Sequence, residues 1–282
     1  MMKIKSSVIY VLVGVIFALV SCDEIDKDDR YIKVDAGIVT PPDNPDDPDY
    51  PTSVPRSVLI EDFTGQDCPN CPDAVPVIDM LEEAYPGRVV VVAIHSGKVL
   101  PASLGNMALQ TELGEQYYKD AGSPAQPAGR IGGSSDTYLP TDWVVPVQNV
   151  LRQMSPVSLK IENVYDEASR KVSVSVNAYG VDDVSGSLQL WLIEDGIMAP
   201  QSVLGTVKMY EHNHVLRAAV NGAYGEPFTI AKGEEKTVDA DAVLESHWVP
   251  NHMSVVAFVS NDAGVLHVVK APIVVETDDN VK

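Results

Sequence analysis

The chain has 282 residues, a formal charge of −20 at pH 7 and 45% hydrophobic residues. Such acidity argues against nucleic acid or an anionic lipid surface as the main partner, because both would repel it. The length leaves room for two ordinary domains, each with its own core.

The N-terminus reads as a leader. Lys3 and Lys5 precede an apolar run over 8–20, and Leu19-Val20-Ser21-Cys22 has the form of a lipobox. The run is shorter than the roughly 20 residues a transmembrane helix needs, so residues 1–21 are expected to be a lipoprotein signal peptide. Cys22 would then carry two acyl chains of the palmitate type, enough for stable anchoring in membrane lipid. Without the two lysines the mature chain carries a charge of about −22. No other segment is long and apolar enough to cross a membrane, so a soluble, tethered remainder is expected.

Residues 22–56 change composition abruptly. From Asp23 to Arg56 there are ten acidic residues and six prolines, with no helical or strand period. A disordered acidic stalk is expected, stiffened by its prolines and by self-repulsion. Asp23-Glu24-Ile25-Asp26, directly after the acylation site, resembles the surface-export signal of Bacteroidota lipoproteins, and a solvated spacer reads equally well.

Residues 57–154 alternate strand-like and helix-like runs: a strand over 58–63, helical spacing over 72–85, a strand over 88–94, then helices over 107–118 and 143–154. That alternation predicts an α/β domain. Residues 155–282 instead show short runs of alternating apolar and polar residues, over 157–164, 171–178, 187–193, 215–220, 228–230, 235–238, 254–260 and 266–275. Turn residues such as Asn221-Gly222 separate them. Seven or eight such strands predict an antiparallel β-sandwich of immunoglobulin-like type, with Trp191 in its core.

Cys68-Pro69-Asn70-Cys71 lies between the first strand and the first helix. A helix N-terminus favours a thiolate over a thiol, so Cys68 can act as a nucleophile near neutral pH. With Cys22 acylated, Cys68 and Cys71 are the remaining cysteines, and an oxidising compartment would close them into a disulfide.

Val58-Leu59-Ile60-Glu61-Asp62-Phe63, the spacing to Cys68, and Pro76 five residues past Cys71 resemble the core strand, active-site turn and helix proline of thioredoxins. The match runs for about 35 residues. The resemblance implies that Cys68 attacks, that Cys71 resolves the mixed disulfide, and that Asp62 is the buried carboxylate accepting the resolving proton. It also implies a cis-proline facing the disulfide, assigned to Pro127 with Pro124 as runner-up. Asp67 stands where thioredoxins carry Trp and would disfavour the thiolate. The 97–122 region is also longer, and could cover the cysteines or shape a groove. Beyond the thioredoxin pattern, the segment from Ile60 to Pro72, the strand ending Ala93-Ile94-His95 and Glu211-His212-Asn213-His214 are similar to the outer membrane protein 28-related lipoprotein family. That resemblance implies an outer membrane lipoprotein, at the cell surface or on the periplasmic face.

The remaining motifs are weaker. His212 and His214 alternate, but no third residue joins them at metal-ligand spacing, so structural hydrogen bonding is expected and no metal or other cofactor is assigned. His95 follows a strand end, where α/β ligand sites often lie, and reads more simply as a satisfied, half-buried histidine. Glu61 and Asp62 are adjacent in a strand and must face opposite ways. Two functions are compatible with these residues: thiol–disulfide exchange on an exported protein client, or binding of an extracellular ligand in adhesion, with the disulfide purely structural.

Overall fold

The computed structural model describes residues 53–97 and 106–274. In chain order the first elements are β1 (Val54–Pro55), β2 (Val58–Thr64), α1 (Val75–Ala84), β3 (Val89–His95), α2 (Glu112–Asp120), β4 (Ala128–Ile131), β5 (Thr137–Tyr138), α3 (Val144–Leu151) and β6 (Met154–Ser155). There follow β7 (Val157–Asp166), β8 (Lys171–Gly180), β9 (Val184–Glu194), β10 (Ile197–Val203), β11 (Thr206–His212) and β12 (Val215–Ala219). The last are β13 (Glu226–Ile230), β14 (Glu235–Val243), β15 (Met253–Asn261) and β16 (Gly264–Pro272). The described residues are thus mostly β-sheet with three α-helices.

One nine-stranded sheet organises the molecule, in the order β16-β15-β9-β12-β3-β2-β4-β5, with β13 also paired to β9. β2 and β3 are parallel, joined through α1, and every residue of both is buried. Their near-continuous apolar sequence is what a parallel pair covered on both faces requires. β12 pairs with β3 in parallel and with β9 antiparallel. The sheet therefore runs unbroken across the change of sequence period at 154–156.

Strand parity sorts most of the buried side chains into three large cores. Val58, Ile60, Val89 and Val91 pack under α1 and α3 with Trp143, Val147 and Leu151. Leu59, Phe63, Val90, Val92 and Ile94 face the other way, toward Tyr117 of α2 and toward Trp191, Ile193 and Phe258. The third core closes a sandwich: the separate sheet β14-β8-β7 lays Val172, Val174 and Val176 against Leu188, Leu190 and Leu192 of β9. Trp191 therefore does not sit in the sandwich core that the sequence suggested. It is out of phase with Leu190 and Leu192, and a period of two sends it to the opposite face.

Several boundaries also differ from expectation. Val54–Pro55, grouped with the stalk on composition, pairs with β6, and Arg56 donates to the Val265 carbonyl at 2.9 Å, so the fold begins before residue 57. α2 starts at Glu112 rather than 107, because the extended Thr111 caps it through a hydrogen bond from Gly114 N. α3 stops at Leu151, freeing Met154–Ser155 to pair with β1. β4, β5 and the hairpin β10–β11 are strands that the periodicity did not reveal. Among the described residues, no helix is long and apolar enough to cross a membrane.

Candidate functional site

β2 ends at Thr64 and the chain turns through Gly65, where a Cβ would lie 2.9 Å from the Ser96 carbonyl oxygen; only glycine permits that approach. Cys68 N donates to Gly65 O at 3.0 Å, and Cys71 N to Cys68 O at 3.3 Å. Cys68 and Cys71 form a disulfide with Cα atoms 5.4 Å apart. Cys71 opens a 3-10 turn (Cys71–Ala74) that runs directly into α1, and the prolines at 72 and 76 occupy early positions where a missing N–H costs no helical bond. Cys68 is half-buried, whereas Cys71 is 4% exposed, so an incoming thiol reaches Cys68 first.

Asp62 lies on the α1 face of the sheet, paired in register with Ala93 and Gly129. Its Oδ1 has no hydrogen-bond partner among the described residues, and burial pushes its carboxyl up to about 7. Glu61 faces the other way, where Arg130 holds it in a two-pronged ion pair beside a separate cavity of about 320 Å³. The Gln126–Pro127 peptide is cis, directly before β4, whose Ala128 pairs with Phe63. Gln126 Nε2 donates to Thr64 O at 2.9 Å and to Ser96 O at 3.2 Å, fixing this segment to the ends of β2 and β3.

The hairpin β10–β11 adds what sequence reasoning missed. Its two-residue turn, Leu204-Gly205, has positive φ at both positions (49° and 77°), the geometry that suits a tight hairpin. The glycine at the turn was the available signal. Gln201 Nε2 donates to Cys68 O at 2.8 Å and to Gly65 O at 3.2 Å. Ser202 N donates to Gln66 O at 2.7 Å, and Gln66 Nε2 returns a bond to Pro200 O at 2.9 Å. The hairpin thus straps the cysteine loop. Gln201→Met is expected to release two bonds worth about 1 kcal/mol each, and to speed reduction of the disulfide by a small dithiol by about tenfold. An unchanged rate would show that the strap does not restrain the loop.

α2 covers the opposite face of the sheet, so the described part of the 97–122 region does not roof the cysteines. Its extended stretch before α2 reaches the loop through Leu109 N, which donates to Gln66 Oε1 at 2.9 Å. Cys22 and the stalk before residue 53 lie outside the described residues.

A cavity of about 70 Å³ opens beside Cys71, lined by Asp62, Ile78, His95, His212 and His214 among others. His95 is not the half-buried, satisfied residue that the sequence suggested: it is 4% exposed and its Nδ1 has no partner among the described residues. Burial foremost, with His212 and Arg217 nearby, holds it well below the usual imidazole range. His212 is also buried, its Nε2 is likewise unpartnered, and burial lowers it to about 4 against the opposing effect of a hydrogen bond to the Ala199 backbone. His214 does not act with it as a pair, since it sits between Glu82 and Asp195 at 3.5 and 3.4 Å. No cluster of three His, Cys, Asp or Glu among the described residues could hold a metal ion.

A largely β protein in which a disulfide turn and a buried carboxylate line one cavity is the class these features define. The sequence model of the outer membrane protein Omp28 family matches residues 113–277, and the chain belongs to that family. The match starts inside α2, so it includes Pro127 and the hairpin but not the cysteine turn. HBP35 of Porphyromonas gingivalis is similar in fold, with a TM-score of 0.63 at 14% identity over 78% of this chain and 76% of that one. A domain of the outer membrane lipoprotein Omp28 from Porphyromonas gingivalis is 25% identical over 42% of this chain and 88% of its own, with a TM-score of 0.32. No curated protein sequence matches the chain.

Proposed function

We propose that this is an outer membrane lipoprotein, anchored through acylated Cys22, whose residues 57–154 act as a thioredoxin-like unit and residues 155–282 as an immunoglobulin-like sandwich. Its chemistry is thiol–disulfide exchange with the cysteines of exported proteins. The observation that carries this reading is the asymmetry of the disulfide: a half-buried Cys68 joined to a buried Cys71 that shares a cavity with Asp62, whose carboxyl protonates near neutrality. In the oxidising direction, a client thiolate attacks Cys68 Sγ, the Cys68–Cys71 bond breaks, and Cys71 leaves as a thiolate that takes a proton from the Asp62 carboxyl. A second client thiolate then displaces Cys68, leaving the client oxidised and the pair reduced. Every step reverses with a client disulfide. Pro127, before the strand paired to β2, is the residue suited to meet the client backbone beside the turn.

The strap of Gln201 and Gln66 favours a second reading, in which the disulfide is structural and the protein displays a surface for an extracellular ligand. A glutathione redox titration of the full chain in detergent separates the two. A potential between about −120 and −270 mV is expected for an exchanging pair. A value below about −300 mV, or a pair inert while the protein is folded, would leave the structural reading standing.

A further inference from the structure

Proton traffic at Cys71 needs a route that Asp62 alone does not provide. Cys71 and Asp62 are both buried, so each reduction or oxidation requires a proton to cross from solvent to the floor of the site. The cavity beside them shows where. Four buried polar atoms without hydrogen-bond partners among the described residues belong to side chains that line it: Asp62 Oδ1, His95 Nδ1, His212 Nε2 and His214 Nδ1, of which the last faces Asp195 at 3.4 Å. Buried polar atoms without partners are costly, and a space of about 70 Å³ with these atoms on its walls accommodates more than one water able to satisfy them. The rings form a stepped series outward. His95 meets His212 edge to face at 5.1 Å between centroids, and His212 meets the partly exposed Tyr210 at 5.2 Å. Tyr210, Glu211 and Asp79 line the outer part of the same cavity.

We propose that His95 and His212, with water held between their unpartnered nitrogens, form the path by which a proton passes between solvent and the Asp62–Cys71 pair. This rests on the exchange chemistry proposed above. Both are positioning residues, since neither touches the reacting sulfur–sulfur bond. Reduction by dithiothreitol gives the balance. Its thiolate attacks Cys68 Sγ, the Cys68–Cys71 bond breaks, and Cys71 takes the Asp62 proton. The second dithiothreitol thiol gives its proton to water, closes the ring and expels Cys68 as a thiolate. The path returns a proton from water to Asp62. Two electrons move from dithiothreitol to the protein pair.

Both imidazoles are neutral in the working range, so they pass a proton on rather than store it. The charged groups around them are Asp79 and Glu82 on α1, Glu211 on β11, Asp195 and His214 in the loops flanking the hairpin, and Arg217 of β12, paired with Glu194 of β9. Their acidic surplus at the outer end suits a site that gathers protons.

The test is stopped-flow reduction of the full chain in detergent by dithiothreitol, from pH 6 to 9, in H2O and D2O. His212→Ala is expected to slow reduction about tenfold at pH 7, to enlarge the solvent isotope effect, and to recover with added imidazole. His95→Gln and His212→Gln should give the same pattern if the alanine variant folds poorly. On the wild-type protein alone, a proton inventory should curve, as more than one proton is in flight. A linear inventory, or folded variants with wild-type rate and isotope effect, would overturn the path while leaving exchange intact. A wild-type disulfide that dithiothreitol does not reduce while the protein is folded would overturn the exchange reading and the path with it.

Discussion

Asp62→Asn is expected to match the wild-type stability at pH 4 and to exceed it by about 4 kcal/mol at pH 8. The folded carboxyl loses its proton at about 7, against an ordinary value of 3.8, because burial disfavours the charged form and Oδ1 has no partner to offset that cost. Below 3.8 both folded and unfolded states hold the proton, and Asp62 carries no penalty. Between 3.8 and 7 the unfolded chain releases it while the folded one keeps it, so stability falls as pH rises, and the loss is complete above about 7. Asn keeps the shape and never ionises. Urea unfolding at pH 4, 6 and 8 reads the difference directly, and a gain that did not grow with pH would mean that Asp62 is not desolvated in the folded protein. On the exchange reading proposed above, the same variant should slow exchange, since it removes the group that trades a proton with Cys71. Stability gained together with activity lost is the signature of a functional buried acid.

Trp143→Ala is expected to cost about 3–5 kcal/mol. The indole is fully buried beneath β2 and β3, and its Nε1 donates to the Tyr138 carbonyl at 2.9 Å. It also fills the space that Gly129 leaves: a Cβ at residue 129 would meet the ring at 2.5 Å. Truncation therefore leaves a large cavity, removes the Tyr138 carbonyl's donor, and takes away the surface that β4 rests on. Pro127 lies two residues before Gly129, so the damage should reach the cysteine turn and appear as faster alkylation of reduced Cys71. A loss below about 1.5 kcal/mol would show that α3 collapses onto the gap.

Much of the site could be read along the chain. Cys68 and Cys71 announce themselves by spacing, and the disulfide between them is present. Asp62 and Pro127 required a family resemblance, because nothing local distinguishes a carboxylate that will be buried from one that will not. The cis bond at Pro127 and the burial of Asp62 both depend on what β4 and β3 bring alongside β2. Gln201 was out of reach for the same reason, and His212 drew notice only beside His214, not as a neighbour of the cysteines. They sit more than a hundred residues from the cysteines, and only the placement of the hairpin over the loop brings them there.

Local chemistry was sufficient for the apolar β2 and β3, for most strands of the sandwich and for the acidic balance of the whole chain. Those features follow from period, propensity and charge, which each segment carries by itself. Which face Trp191 occupies, where α2 begins, how far β12 extends the sheet, and why His95 and His212 are buried with one ring nitrogen each unpartnered were decided by tertiary structure. Parity within a strand is local, but the identity of what covers each face is not: it is set by β12 docking beside β3, which joins the two halves of the chain in one sheet.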